Sequence, residues 1–359
     1  MSFRFFRRCW KVAVIACVCL FLAVPGAYAE TGSLDLLERA APDNPQASRG
    51  VLMDVTRINK MLVAVGERGL VLQSADNGFT WHQSRVPVSV ALTGVRFVDE
   101  RQGWAIGHSG VVLHTADAGV TWQKQLDGRV VAQLEVAAAE RDQDPGRQRT
   151  AKRLLAEGAD KPWLDLLFVD SQRGWLIGAY GLFMRTRDGG ATWSSAMGDI
   201  DNPTGLHLYA IRVIGERMVI AGEQGALFVS GDGGEHFKRI ESPYEGSFFG
   251  LASDRAGDLV VYGLRGNAWR LGAGEENWQA IDMGNDVTLT ADARTNNGDL
   301  LLADEAGRIS YSRDDGRSFQ PLTEAAKGYV SGLTQAADGA LVVVGARGVQ
   351  RIESEEVQP

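Results

Sequence analysis

A unit of about 41 residues recurs seven times along this chain, and no other feature restricts its fold as strongly. Gly66-Glu67-Arg68-Gly69 leads into LVLQSADNGFTW, and Gly107-His108-Ser109-Gly110 leads into VVLHTADAGVTW. Gly178-Ala179-Tyr180-Gly181 leads into LFMRTRDGGATW, and Gly222-Glu223-Gln224-Gly225 into ALFVSGDGGEHF. A worn copy runs from Gly263-Leu264-Arg265-Gly266 to Trp278, another from Gly307 to Phe319, and a truncated one opens at Gly345-Ala346-Arg347-Gly348. The second glycines fall at 69, 110, 181, 225, 266, 307 and 348, so five of the six steps are 41 to 44 residues and one is 71. A period near 40 built from four short strands is the signature of a propeller blade. The expected fold is therefore all-β, a seven-bladed β-propeller with a helical insertion between blades 2 and 3.

Within the second unit LTGVRFVD, GWAIG, VVLHT and TWQKQ read as four successive strands, apolar and β-branched between glycines. The seventh unit supplies only three before Ile352. An open sheet edge invites unwanted pairing, so Leu34 to Ala40, within the segment 30–50, is the expected fourth strand of blade 7. The propeller itself should occupy 51–353, leaving 354–359 as a tail. Residues 1–29 read as a signal peptide. Arg4, Arg7, Arg8 and Lys11 precede a 13-residue apolar run, Val12 to Val24, and Ala27-Tyr28-Ala29 supplies a cleavage site. That run is short for a membrane span, which needs about 20 residues. An exported, periplasmic protein is expected. All three cysteines (Cys9, Cys17, Cys19) lie in the leader, which excludes disulfides and thiolate chemistry from the processed chain. Its 33 basic and 45 acidic residues leave a balance of −12, with no overall attraction for nucleic acid or anionic lipid.

The turn between third and fourth strands follows Ser/Thr-x-Asp-x-Gly-x-Thr-Trp. Asp76, Asp117, Asp188, Asp232 and Asp314 share one position, and a glycine stands two residues later in each. An aspartate here accepts backbone N–H bonds of its own turn, and the following aromatic packs between sheets. Five copies around a ring cannot converge on one substrate, so the role is structural. These are Asp-box repeats, and with their spacing and the export signal the chain resembles the photosystem II stability/assembly factor-like family from about Val51 to Ile352. The resemblance implies a lumenal or periplasmic propeller that assists assembly of a membrane protein complex, without enzymatic activity. It also implies a functional patch of arginines on one face. Members occur in bacteria that do not photosynthesise, so the client is not carried over.

Strand order puts the G-x-x-G turns and the inter-blade links on one face and the Asp-box turns on the other. Arg68, Arg265 and Arg347 stand immediately before second glycines and match the family's arginine face. A planar, five-donor guanidinium suits a binding surface, although arginine is also an ordinary loop-tip residue. His108 lies on a tip of the same face. Trp163, Tyr209, Phe249 and Tyr329, near the starts of first strands, should ring the channel mouth as partner contacts or as packing between blades.

The long step holds VVAQLEVAAAERDQDPGRQRTAKRLLAEG, rich in helix formers. Two helices are expected within about 129–160, at Val130–Arg141 and Arg147–Glu157, divided by Pro145-Gly146. Leu134, Val136, Ala137, Leu154 and Leu155 would be their apolar faces. The hairpin reads equally as a client-binding arm or as a tolerated surface loop whose removal leaves stability intact. The alternatives to an assembly factor are an Asp-box glycosidase and a cell-envelope glycan-binding or receptor propeller. Glycoside hydrolysis needs two carboxyl groups about 5 to 9.5 Å apart; Glu67, Glu223, Asp165 and Asp286 are the ones that could meet at the mouth. The histidines lack metal-site spacing. No metal, no cofactor and no catalytic residue is expected. The expected partner is an integral membrane protein or complex, bound by a monomer that is at most peripheral to the membrane.

Overall fold

A computed structural model describes residues 35–253, 257–323 and 325–353. The signal-peptide and tail assignments lie outside the described residues. Seven sheets form, six with four antiparallel strands and the seventh with three. Blade 1 shows the plan, with strands Leu52–Ile58, Met61–Gly66, Val71–Ser74 and His82–Gln83 running from axis to rim. Second strands such as Gly103–Gly107 and Leu341–Gly345 are buried along their whole length, as expected of the central layer of a stacked sheet.

Each first strand carries a bulge at its second residue, in all seven blades. A bulge re-aims one side chain and tightens the twist. At this position it directs hydroxyls onto the next blade. Thr93 donates to the Trp163 carbonyl (2.7 Å), Thr290 to Val330 (2.7 Å) and Ser331 to Leu52 (2.8 Å). The last bond joins blade 7 to blade 1 and closes the ring. Arg351 adds to the closure near the rim, donating to the Asn77 carbonyl (2.9 Å).

The axis holds a channel of about 320 Å³ lined on one side by charge. Asp54 accepts the Val95 amide of blade 2 (2.9 Å) and pairs with Arg96. Asp165 repeats this toward blade 4, accepting the Ile211 amide (2.9 Å) and pairing with Arg212, while Arg96 lies 3.6 Å away. Burial disfavours the charge on both guanidiniums. The facing carboxylates outweigh it and raise both pKa values, Asp54 and Asp165 acting on Arg96, and Asp165 and Asp292 on Arg212. Across the channel Tyr262 donates to Asp292 (2.6 Å) over Gly250, where a Cβ would lie 1.9 Å from the Tyr262 hydroxyl.

The Asp-box turns are self-contained. In blade 1, Asp76 accepts the Ser74 hydroxyl (2.8 Å), the Thr80 amide (2.9 Å) and the Thr80 hydroxyl (2.6 Å). Asp117, Asp188 and Asp314 repeat the set, and Asp232 substitutes His236 for the threonine. Thr80 and Ser74 hold the Asp76 carboxyl at about 2. The Ser230 hydroxyl and the His236 amide lower Asp232, and hydroxyl and amide donors lower Asp188. Burial opposes the shift at Asp117 and Asp314, and the same donors outweigh it. A carboxyl depressed in the folded state stabilises above its unfolded pKa and loses that contribution as pH falls through the folded value. Urea midpoints should therefore drop as pH falls from about 4 to about 2. Asp76→Asn should flatten that decline, and an unchanged slope would remove these turns from the acid response.

The segment expected to complete blade 7 goes elsewhere. Asp35–Ala40, its described residues, form a turn rather than a strand. Ser89 donates to Leu36 (2.8 Å), Ala41 donates to Val86 (3.0 Å), and Leu37 is buried in the core between blades 1 and 2. Those bonds and the burial of Leu37 are not available at the rim of blade 7. Among the described residues of that segment, 47–49 form a 3₁₀ turn pressed onto Gly348 of blade 7, where the other blades place their links.

The insertion is a helical hairpin between blades 2 and 3, α1 (Gly128–Asp142) and α2 (Pro145–Glu157). Asp127 and Asp144 cap them, and Pro145 is the first residue of α2 rather than a divider. The buried side is Val131, Ala132, Glu135, Ala138, Ala139 and Ala151. Ala137 and Leu155 are exposed, against expectation. Glu135 is buried because Arg147 binds both its oxygens (2.8 and 2.9 Å) and Ser195 donates to it. The hairpin is thus docked on blade 3, and it is no loose surface loop.

Candidate binding face

The G-x-x-G turns and the links do share a face. A Cβ on Gly69 would meet the Val88 carbonyl at 2.1 Å, and one on Gly110 would meet Gly128, the first residue of α1, at 2.7 Å. Turn and link therefore touch in blade after blade, and the hairpin rises beside the turn that carries His108. Five turns hold a non-glycine residue in the left-handed region: Arg68 (φ 55°), Ser109 (58°), Tyr180 (58°), Gln224 (52°) and Arg265 (58°). Such a residue costs about 1 kcal/mol or more. Because it recurs at five tips, the strain belongs to the turn architecture and marks no single site.

Arg68, Arg265 and Arg347 are exposed on blades 1, 5 and 7, and none forms an ion pair among the described residues. His108 is exposed as well, and Tyr329 is 47% exposed beside the blade 7 turn. Burial, with Glu305 nearby, raises the Tyr329 pKa. Trp163 is different. It is fully buried, donating its indole N–H to the Gly110 carbonyl (2.9 Å) beneath the hairpin. It locks the hairpin's root and has no surface to offer a partner.

Tyr209 and Phe249 are half-buried at the channel mouth, edge to face at 5.1 Å. They end an aromatic arc that the sequence reading missed. Tyr180 (58% exposed) stacks edge-on against His207 at 4.8 Å, and His207 neighbours Tyr209 at 6.1 Å. The Tyr180 amide donates to His207 Nδ1 (2.8 Å), and Lys161 stands 5.0 Å from the Tyr180 ring. The available signal was positional, since Tyr180 occupies the slot that holds arginine in blades 1, 5 and 7. The face thus carries an aromatic arc over blades 3 to 5 and, over blades 5, 7 and 1, three cations that form no ion pair among the described residues.

Three of the four carboxylates of the hydrolase reading are engaged, and the fourth, Asp286, is exposed. Asp165 is committed to two guanidiniums and an amide. Glu223 accepts the His207 amide (3.1 Å) and Glu67 the Val51 amide (3.3 Å). Among the described residues no cluster of three or more histidines, cysteines or acids could hold a metal, and no helix is long and apolar enough to cross a membrane.

The family described as "Photosynthesis system II assembly factor YCF48" matches residues 46–138 and 150–299, more than half of the chain. The chain belongs to that family. A curated Ycf48 relative, the photosystem II assembly lipoprotein Ycf48 of Synechococcus sp. (strain CC9902), is 28% identical over 167 residues. That alignment covers 43% of this chain and 47% of the relative, about half its length. A solved structure described as "YCF48 bound to D1 peptide" superposes with a TM-score of 0.64 at 17% identity, over 89% of this chain and 98% of that one. The Ycf48 structure from Cyanidioschyzon merolae gives 0.64 at 15%, over 88% and 99%. A GH74 xyloglucanase from Xanthomonas campestris gives 0.63 at 13%, over 89% of this chain and 54% of its own. The fold is therefore shared with an enzyme, and function must be argued from the site. The Ycf48 match leaves out residues 139–149, at the tip of the hairpin.

Proposed function

We propose that this protein is a non-enzymatic assembly or stability factor for a membrane protein complex, exported and acting as a monomer. It grips its client with the face that carries the hairpin and the G-x-x-G turns. Membership of the Ycf48 family supports the assembly role, and the exposed Arg68, Arg265 and Arg347, without an ion pair among the described residues, are the observation that carries the choice of face. An exposed guanidinium without a carboxylate is free to make bidentate bonds with a client's acidic groups. The aromatic arc from Tyr180 to Phe249 supplies apolar contact beside them.

Affinity capture from detergent-solubilised membranes should recover an integral membrane protein. Changing Arg68, Arg265 and Arg347 together to alanine should reduce recovery at least about tenfold, which corresponds to 1.4 kcal/mol. The ring should remain folded, because the three tips are solvent-exposed. Equal recovery by the triple variant, with the same salt dependence, would make the arginines bystanders. Turnover of a glycoside panel would replace the proposal with the hydrolase reading.

A further inference from the structure

In six blades the third strand is paired on its outer side. Leu72 and Gln73 face Gln83 and His82, and the Ser84 amide donates to the Val71 carbonyl (2.9 Å). The same bond runs from Ala196 to Phe183 (2.9 Å), from Ile240 to Leu227 (3.0 Å) and from Leu322 to Ile309 (2.8 Å). The turn between the two strands then seats its glycine on the preceding blade. A Cβ on Gly78 would lie 3.0 Å from Val342, on Gly119 2.8 Å from Gln73, on Gly234 2.7 Å from Trp175, and on Gly316 2.8 Å from Val260.

Blade 7 lacks both parts among the described residues. Its third strand, Gly348–Ile352, holds the standard register, so Val349 stands where Val71 does and Arg351 where Gln73 does. No described residue donates to the Val349 carbonyl or pairs with Arg351 on the outer side. The matching seat on blade 6 is Leu301 and Tyr311, which register with Val342 and Arg351 of blade 7. A cleft of about 360 Å³ lies there in place of a turn, lined also by Asn297, Arg313 and Gln335. Arg313 stands 5.2 Å from the Tyr311 ring and forms no ion pair among the described residues.

We propose that the outer edge of blade 7 and the seat on blade 6 form a strand-accepting site for an extended segment of another polypeptide. The six filled positions define the occupant. It pairs its backbone with Val349 and Arg351, places a glycine-sized residue on Leu301 and Tyr311, and offers a carbonyl or carboxylate to Arg313. Main-chain pairing at an exposed edge supplies the affinity, and the seat supplies the selectivity. This site lies at the rim and is independent of the arginine face.

The chain's own blade 1 provides a probe, a synthetic peptide of residues 74–86, which carries an Asp-box turn and a fourth strand. Titrated into the full protein, it should bind saturably and slow hydrogen exchange at the Val349 and Arg351 amides at least about tenfold. Arg313→Ala, at an exposed position, should weaken binding several-fold, and a peptide carrying His82→Pro should not bind, since proline cannot pair. Slow exchange at both amides before peptide is added would overturn the proposal, because the edge would already be filled by this chain or a second copy. So would peptide binding that leaves those two amides unchanged.

Discussion

Asp165→Ala should lower the unfolding free energy by about 3 kcal/mol, seen as a reduced urea midpoint with an unchanged slope. The carboxylate is 7% exposed and holds three donors: Arg212, the Ile211 amide and, at 3.6 Å, Arg96. Removing it leaves the buried Ile211 amide without its acceptor and Arg212 without its paired carboxylate, beside Arg96, which keeps Asp54. Single deletions from buried ion pairs cost about 3 to 5 kcal/mol. The lower end applies because Arg96 and Arg212 keep 32% and 27% of their side-chain surface, so water in the channel screens part of the loss. Asp165→Asn should recover part of the stability, since an amide oxygen still accepts from Ile211. If both variants match the parent, the channel charges are ornamental and the bulge hydroxyls alone hold the hub.

That hub was poorly legible in the sequence, for a physical reason. Asp54, Arg96, Asp165 and Arg212 sit in four different blades and meet only because the strands converge on one axis. A signal existed: LMDVTRI and WLDLLF carry aspartate at the third position of an apolar strand, while LTGVRF and LYAIRVI carry arginine at the fifth. The ring itself was legible because turns are local. Gly78, Asp76 and Thr80 settle their geometry within a few residues, and the glycine period reports how often the chain repeats it. The fate of Asp35–Ala41 was not local. Its partners, Val86, Ser89 and Lys124, lie in the link between blades 1 and 2 and in the last strand of blade 2, and no periodicity announces a turn that is held by such groups. Neither the strand expected on the outer edge of blade 7 nor a substitute appears among the described residues. Trp163 is the first residue of its strand, a position that is buried in every blade, as Leu92, Leu208 and Phe248 show, whereas Tyr209 and Phe249 stand one residue later on the bulge.

The hairpin's attachment makes the second large prediction. Arg147→Ala should destabilise the protein by about 3 to 5 kcal/mol, because Glu135 is 1% exposed and would keep its charge with only the Ser195 hydroxyl to bond. Replacing the pair together, Glu135→Leu with Arg147→Met, should restore most of the loss, since well-packed apolar groups often equal or exceed a buried ion pair. The double variant separates two roles for the same contact. If it is stable and still captures its client, the pair only anchors the helices. If it is stable and loses the client, the pair sets the angle at which α2 presents Arg149 and Arg153, and the hairpin is an arm whose aim matters. Should Arg147→Ala alone be neutral, the hairpin is held by Val131 and the alanines, and its two helices can be treated as an appendage.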